Sequence, residues 1–132
     1  MRFLLLSRDG DHPIGAELAQ MGHEVVVASG PEVTAATISL VDVLVVGADQ
    51  VREKSDWFNR LRAQIRAAEV SVLGMAASLD GEEIAPLMEI GVDDYLVAPF
   101  QPADVRARIA MFERRCHAFM RRQSHEIGRA HV

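Results

Sequence analysis

Residues 42–47 have the sequence Asp42-Val43-Leu44-Val45-Val46-Gly47. The uninterrupted run of valine and leucine is typical of a strand buried on both faces, because a half-exposed strand alternates apolar with polar side chains. Strands of this kind occur where helices cover both faces of a parallel sheet. The stretch therefore predicts the central strand of an α/β domain.

Short apolar runs alternate with helical patterns on both sides of this strand. The strands are predicted at residues 2–7, 24–28, 42–47, 70–75 and 95–97, and the helices at residues 14–21, 32–40, 55–68, 80–90 and 102–122. Because parallel strands need crossover connections, this order predicts βαβ units in one sheet. Residues 1–122 are expected to form one domain with a long last helix, and residues 123–132 a linker or tail.

Composition narrows the class of protein. The chain has 132 residues, 49% of them hydrophobic, with a net charge of −5, which fits one folded domain rather than a disordered tail. The single Cys116 excludes an internal disulfide and a cysteine-clustered metal site. No apolar run reaches the length of a membrane span, so a soluble, cytoplasmic domain is expected. Residues 106–132 hold seven basic and two acidic residues, too few cations to predict a nucleic-acid surface.

Residues 91–100 carry the most specific motif, Gly91-Val92-Asp93-Asp94-Tyr95-Leu96-Val97-Ala98-Pro99-Phe100. This decapeptide closely resembles the end of the receiver domain of two-component response regulators, where the usual pattern is Gly-Ala-Asp-Asp-Tyr-Leu-x-Lys-Pro-Phe. The resemblance extends in order along nearly the whole chain, including the strand at 42–47, the acidic helix start at 80–83 and the last helix from Pro102. It implies a flavodoxin-like, doubly wound (βα)5 domain with strand order 2-1-3-4-5 and a site at the carboxyl ends of the strands.

The chemistry of the receiver family uses five positions in that site. An aspartate accepts a phosphoryl group, two acidic residues bind a divalent cation, a hydroxyl bonds the phosphoryl oxygen, and a lysine neutralises its charge. The resemblance puts Gly47 at the aspartate, Ala76 at the hydroxyl and Ala98 at the lysine. Ser7 and Arg8 fall at the acidic pair. Each functional group is missing, which predicts a degenerate receiver, a pseudo-receiver that is not phosphorylated.

Neighbouring carboxylates do not restore the site by sequence alone. Asp9 lies one residue beyond the acidic pair and Asp49 two residues beyond Gly47, and such a displacement moves a side chain by several ångströms. Asp9, Asp11 and Asp49 are therefore interpreted as loop and turn residues. No metal, no cofactor and no catalytic residue is predicted, and the chain is expected not to be an enzyme.

Two surfaces are candidates for protein contacts. The first is the terminal face, defined by the resemblance as residues 82–89, 95–100 and 104–112, which includes Tyr95 and Phe100. The second is an apolar seam on the last helix, whose members recur at spacings of four and three residues. Its first part, up to Phe112, is expected to cover the sheet of its own domain as well, so Cys116 and Phe119 beyond it predict a homodimer. The seam consists of Val105, Ile109, Phe112, Cys116 and Phe119.

Two other families share local motifs with the chain. The N-terminal β-rich runs resemble the start of a GT-B glycosyltransferase, but that enzyme needs a second domain to close its donor site. Asp11-His12-Pro13-Ile14-Gly15 resembles the Asp-x-His-x-x-Gly loop of cobalamin-binding flavodoxin-like domains, although Gly10 stands where that aspartate belongs. Cobalamin binding is kept as the alternative function.

The favoured hypothesis is a phosphorylation-independent receiver domain that acts in signal transduction or transcriptional regulation through protein contacts. Its partner would be an unidentified effector domain or partner protein, and nucleic acid is expected only through a separate effector domain. A freestanding adaptor of the same fold remains an alternative, and no membrane contact is predicted.

Overall fold

A computed structural model describes residues 1–8, 10–53 and 56–130, with side chains up to Cys116. Five parallel strands form one sheet in the order β2-β1-β3-β4-β5. They are β1 (Arg2–Leu6), β2 (Glu24–Ala28), β3 (Val43–Gly47), β4 (Ser71–Ala76) and β5 (Asp94–Val97). The predicted fold class and strand order are confirmed, and the run at 42–47 forms a central strand.

Helices connect successive strands and continue after the last one. They are α1 (Gly15–Gln20), α2 (Ala35–Ser39), α3 (Ala48–Arg52), α4 (Asp56–Ala68), α5 (Gly81–Ile90) and α6 (Pro102–Ala130), with a 3₁₀ turn at Gly30–Glu32. Within the described ranges, no helix combines the length and apolar character of a membrane span.

Two helices differ from the sequence prediction. Helix α3 was not predicted, because five residues that follow β3 directly are too few to show helical periodicity. Helix α6 continues eight residues beyond the predicted end at Arg122, since residues 123–127 contain no proline or glycine that would end it. The division into a domain at 1–122 and a linker or tail at 123–132 stays a prediction.

The core lies on both faces of the sheet because side chains alternate along each strand. Phe3 and Leu5 of β1 pack on one face, together with buried residues of α1 and α6, while Leu4 and Leu6 pack on the other face. That second face is covered by α2, α3, α4 and α5. Every central strand is therefore shielded from water on both sides, as its composition predicted.

The first part of the α6 seam contributes to this core, as expected for a stripe that covers its own sheet. Val105 and Phe112 are each 2% exposed and Ile109 is fully buried, all packed against the sheet face that carries Phe3 and Leu5. Covering the domain's own sheet already removes Ile109 and Phe112 from water, and their part in an interface stays a prediction. Over this half of the helix, the apolar spacing reflects residues that pack in the core of the monomer.

Candidate functional site

A cavity of about 580 Å³ lies at the carboxyl ends of the strands. Its walls come from the segments that follow β1, β3, β4 and β5, which meet at one edge because all strands are parallel. All five positions singled out by the family pattern line it: Ser7, Arg8, Gly47, Ala76 and Ala98. The structure thus brings together residues that are spread over 92 positions of sequence. Ala76 and Ala98 present only methyl groups there, and Gly47 has no side chain.

A side chain at Gly47 would have to displace the Asp49 carboxylate. A Cβ atom built on Gly47 would lie 2.5 Å from Oδ1 of Asp49, well inside van der Waals contact. Oε1 of the buried Gln50 accepts a hydrogen bond of 2.9 Å from the Gly47 N–H. The space beside the end of β3 is therefore filled by the first turn of α3, and the Asp49 carboxylate lies against the glycine.

Two ion pairs flank the cavity. Arg8 Nη2 contacts Glu53 Oε1, and Arg52 Nη1 donates to Glu83 Oε2. The other carboxylate oxygen of Glu83 accepts a hydrogen bond of 3.0 Å from the Ala77 N–H. This backbone hydrogen bond, followed by the Arg52 guanidinium, holds the pKa of Glu83 below its usual value. Glu83 is therefore an ionised group at the cavity wall, and each of its two carboxylate oxygens accepts a hydrogen bond.

Solved structures with similar architecture identify the fold. A CheY-like protein (tadZ) from Pseudomonas aeruginosa superposes with a TM-score of 0.65 at 17% identity, over 85% of this chain and 98% of that chain. A two-component response regulator from Clostridium difficile gives a TM-score of 0.67 at 17% identity, over 88% and 98% of the two chains. A response regulator receiver protein from Burkholderia phymatum gives 0.66 at 19% identity, over 84% and 93%.

The chain has the receiver fold. Two curated relatives are longer than this chain. A probable transcriptional regulator, ycf27, of Cyanophora paradoxa is 29% identical over 98 residues. Its counterpart in Porphyridium aerugineum is 26% identical over 98 residues. Each alignment covers 74% of this chain and 41% of the relative, so the chain spans about two fifths of the length of the curated relatives it matches. No protein-family model matches the chain.

The first loop of this receiver fold is held by bonds among its own residues. The Ser7 hydroxyl donates to the Asp11 carbonyl oxygen, and the Asp11 carboxylate accepts from the backbone N–H of His12 at 2.9 Å. His12 Nδ1 accepts a long hydrogen bond of 3.4 Å from the Ile14 N–H. Asp11 therefore bonds the backbone rather than the imidazole ring, which differs from the ring-orienting carboxylate that the cobalamin alternative requires.

Burial decides the charge of His12. Partial burial lowers the pKa of His12 from its ordinary value, and the nearby Asp11 carboxylate opposes this effect without overcoming it. The ring is consequently neutral at pH 7. Asp9, the other carboxylate considered for this loop, lies outside the described residues.

The terminal face of the receiver fold is tied together by α6. Arg108 Nε lies 3.4 Å from Oδ2 of Asp94 and 3.4 Å from the Tyr95 carbonyl oxygen. Tyr95 is half-buried against the core on the α5 side of the sheet, and Phe100 is half-buried where it also lines the cavity. Cys116 is half-buried on α6, and the Phe119 side chain lies outside the described residues.

Sequence reasoning missed three residues of this site: Gln50, Arg52 and Glu83. Gln50 and Arg52 lie on the unpredicted helix α3, and Glu83 was assigned to the acidic start of a helix and to the terminal face rather than to the cavity. The Arg52–Glu83 pair joins residues 31 positions apart, so no local spacing could have indicated it. The opposite charges of Arg52 and Glu83 were the one available signal, and many other residue pairs in the chain also have opposite charges.

Proposed function

We propose that the chain is a receiver domain that works without aspartyl phosphorylation and acts through protein contacts in signal transduction or transcriptional regulation. The receiver fold and the relatives described as probable transcriptional regulators support the regulatory part of this proposal. Since the alignments cover only 41% of those relatives, an effector domain or a separate partner protein would complete the function. A non-enzymatic role and a cytoplasmic location, the latter resting on the single cysteine, belong to the same proposal.

One observation supports the proposal: the five positions that the resemblance assigns to the family's reactive groups line one cavity, and none of them carries the expected group. Gly47 supplies no carboxylate nucleophile, Ala76 no hydroxyl and Ala98 no ammonium, while Arg8 supplies a cation where the family pattern has a metal-binding carboxylate. Phosphoryl transfer depends on groups that neutralise the developing charge. Asp49 is a carboxylate in the same cavity, but Glu53 and Glu83 already pair with the two arginines beside it.

Acetyl phosphate with Mg²⁺ is expected to leave the full chain unmodified. Without a nucleophile at Gly47 and a lysine at Ala98, neither bond formation nor charge neutralisation is favoured. Intact-protein mass spectrometry should show no added phosphoryl group, and millimolar Mg²⁺ should not change the melting temperature, because a cation that does not bind the native state cannot stabilise it.

The Asp49→Asn variant is the control for this experiment. A hydroxylamine-sensitive adduct that forms on the unsubstituted chain and disappears in Asp49→Asn would contradict the proposal and assign Asp49 as a displaced phosphoacceptor. A rise of several degrees in melting temperature with Mg²⁺ would contradict the prediction that the chain binds no metal.

The homodimer also belongs to the proposal, with a smaller interface than the full seam. Since Ile109 and Phe112 are buried in the monomer, the dimer contact would use the later part of α6, beginning at Cys116. Helix α6 has 29 residues and is about 43 Å long at 1.5 Å per residue. Strands of four to six residues span only about 13–20 Å, so the helix extends well past the sheet.

Arginine repulsion is the main objection to pairing these helices, and the structure reduces it at one position. Arg115 Nη1 lies 3.5 Å from Asp93 Oδ1, and its guanidinium lies 5.9 Å from the Phe112 ring centroid. Arg115 is therefore directed back onto its own domain. Arg108, earlier on the same helix, similarly contacts Asp94.

Phe119→Asp is expected to weaken the dimer. Burying a phenylalanine side chain contributes about 1.5–3 kcal/mol, so losing two such side chains per dimer should raise the dissociation constant at least about tenfold. Light scattering over a micromolar concentration series measures this change, with the exposed Leu79→Asp as the matched control. A monomer at high micromolar concentration before any substitution would contradict the dimer, and a dimer insensitive to Phe119→Asp would move the interface to the Tyr95 face.

A further inference from the structure

Glu83 makes contacts that link three elements of the fold. It lies in the first turn of α5, and its side chain is 15% exposed. One carboxylate oxygen accepts from the Ala77 N–H directly after β4, and the other accepts from Arg52 at the end of α3. The loop between β4 and α5 is thus bound at its start by a carboxylate that is itself attached to a second helix.

The Glu83 carboxylate also lies in the cavity rather than on an unrelated surface. Arg52, Ala76, Ala77 and Glu83 all line the cavity that contains Gly47 and Ala98. The cavity therefore contains an anion, a backbone N–H that binds this anion and a cation that neutralises it. Arg52 supplies a positive charge in the same cavity in which Ala98 replaces the family's lysine.

An ordinary surface ion pair would not have these properties. Arg2 and Glu24, for comparison, form a pair of 2.8 Å with side chains 56% and 70% exposed, and such exposed pairs contribute little. The Glu83 side chain is 15% exposed and its partner Arg52 is 42% exposed. Glu83 also accepts a charge-assisted hydrogen bond from the backbone, which is stronger than a bond between neutral groups. Its lowered pKa agrees with this arrangement.

We infer that Glu83 serves as a built-in anion of the cavity, bound by the Ala77 N–H and Arg52, and that it fixes the start of the β4–α5 loop in one position. This inference rests on the proposed function, because it explains how the domain keeps one conformation without a phosphoryl group. The loop then presents one constant surface to a partner protein. Small external anions do not compete in the intact chain, because Glu83 is held at high effective concentration.

Removing the carboxylate should vacate a site for a small anion. In Glu83→Ala, exchange of the Ala77 amide hydrogen with solvent is expected to accelerate at least about tenfold, since its bonded acceptor is lost. Formate at about 100 mM should slow that exchange again in a saturable manner, more than chloride at equal ionic strength, as expected of a ligand that binds the native state. In the intact chain, formate should have no effect.

Three further variants make the result specific. Glu82→Gln removes the same charge from an exposed position in the same helical turn and should leave Ala77 exchange unchanged. Glu83→Gln keeps an acceptor for Ala77 and should give an intermediate rate, which preserves the test if Glu83→Ala does not fold. Adding Arg52→Gln to Glu83→Ala should abolish the formate effect.

Two results would overturn the inference. The first is an unchanged Ala77 exchange rate in both Glu83 variants, and the second is a formate effect no larger than that of chloride. Phosphorylation of the intact chain by acetyl phosphate is measured in a separate experiment. It would overturn the proposed function, whereas the exchange rates judge Glu83 itself.

Discussion

Phe112→Ala is expected to remove a large part of the stability of the monomer. The side chain is 2% exposed and packs with Ile109 and Val105 against the sheet. Truncating a buried phenylalanine typically costs about 3–5 kcal/mol, because both the transfer free energy and the packing around the cavity are lost. Urea unfolding followed by circular dichroism should show this loss as a lower midpoint with a similar slope.

Protein concentration separates a core role of Phe112 from an interface role. Truncating a core residue lowers the free energy of unfolding by the same amount at all protein concentrations. Truncating an interface residue lowers it by an amount that depends on protein concentration. Leu79→Ala is the control. Because Leu79 is 72% exposed, this substitution should change the free energy of unfolding only slightly. A loss for Phe112→Ala that appears only at high concentration would contradict its assignment to the core.

Gly30→Ala is expected to be the most damaging single-methyl addition. A Cβ at Gly30 would lie 2.2–2.5 Å from three ring carbons of Trp57, far closer than carbon atoms pack. Overpacking of this kind costs about 1–3 kcal/mol. Trp57 is the sole tryptophan of the chain, so its fluorescence should shift in the native state while urea unfolding gives the loss in stability.

Gly81→Ala is the matched control because no atom lies within 4 Å of a Cβ at Gly81, which begins α5. This substitution should be neutral or slightly stabilising, since alanine favours helices over glycine by about 1 kcal/mol at most. Combining Gly30→Ala with Trp57→Phe should cost less than the sum of the two single variants if the ring is the obstacle. Strict additivity would show that the strain lies elsewhere.

The order of elements could be predicted because it depends on short-range patterns. The runs at 24–28 and 42–47 are buried strands for reasons contained in their own residues, and the observed strands lie within one residue of the predicted ends. The five cavity positions were likewise brought together as expected once the parallel topology was in place. Helix α3 escaped prediction because it is a single short element whose start is fixed by the Gly47–Gln50 hydrogen bond.

The seam of α6 shows why a periodic pattern does not identify what covers it. Spacings of four and three residues are the same whether a helix packs on its own sheet or on a second chain. The tertiary contacts assign Ile109 and Phe112 to the sheet, as expected for the first part of the helix. The pattern beyond Cys116 is still a prediction about a partner helix.

The sequence by itself determined the alternation of strands and helices, because this follows from residue identity and local order. It also predicts that none of the family's reactive groups is present at Ser7, Arg8, Gly47, Ala76 and Ala98. Only the tertiary structure decided that the Asp49 carboxylate lies against Gly47 and that Glu83 bridges Ala77 and Arg52. These contacts depend on how α3 and α5 approach each other across the end of the sheet. Such an approach is set by packing of the whole core, which no local spacing in the chain records.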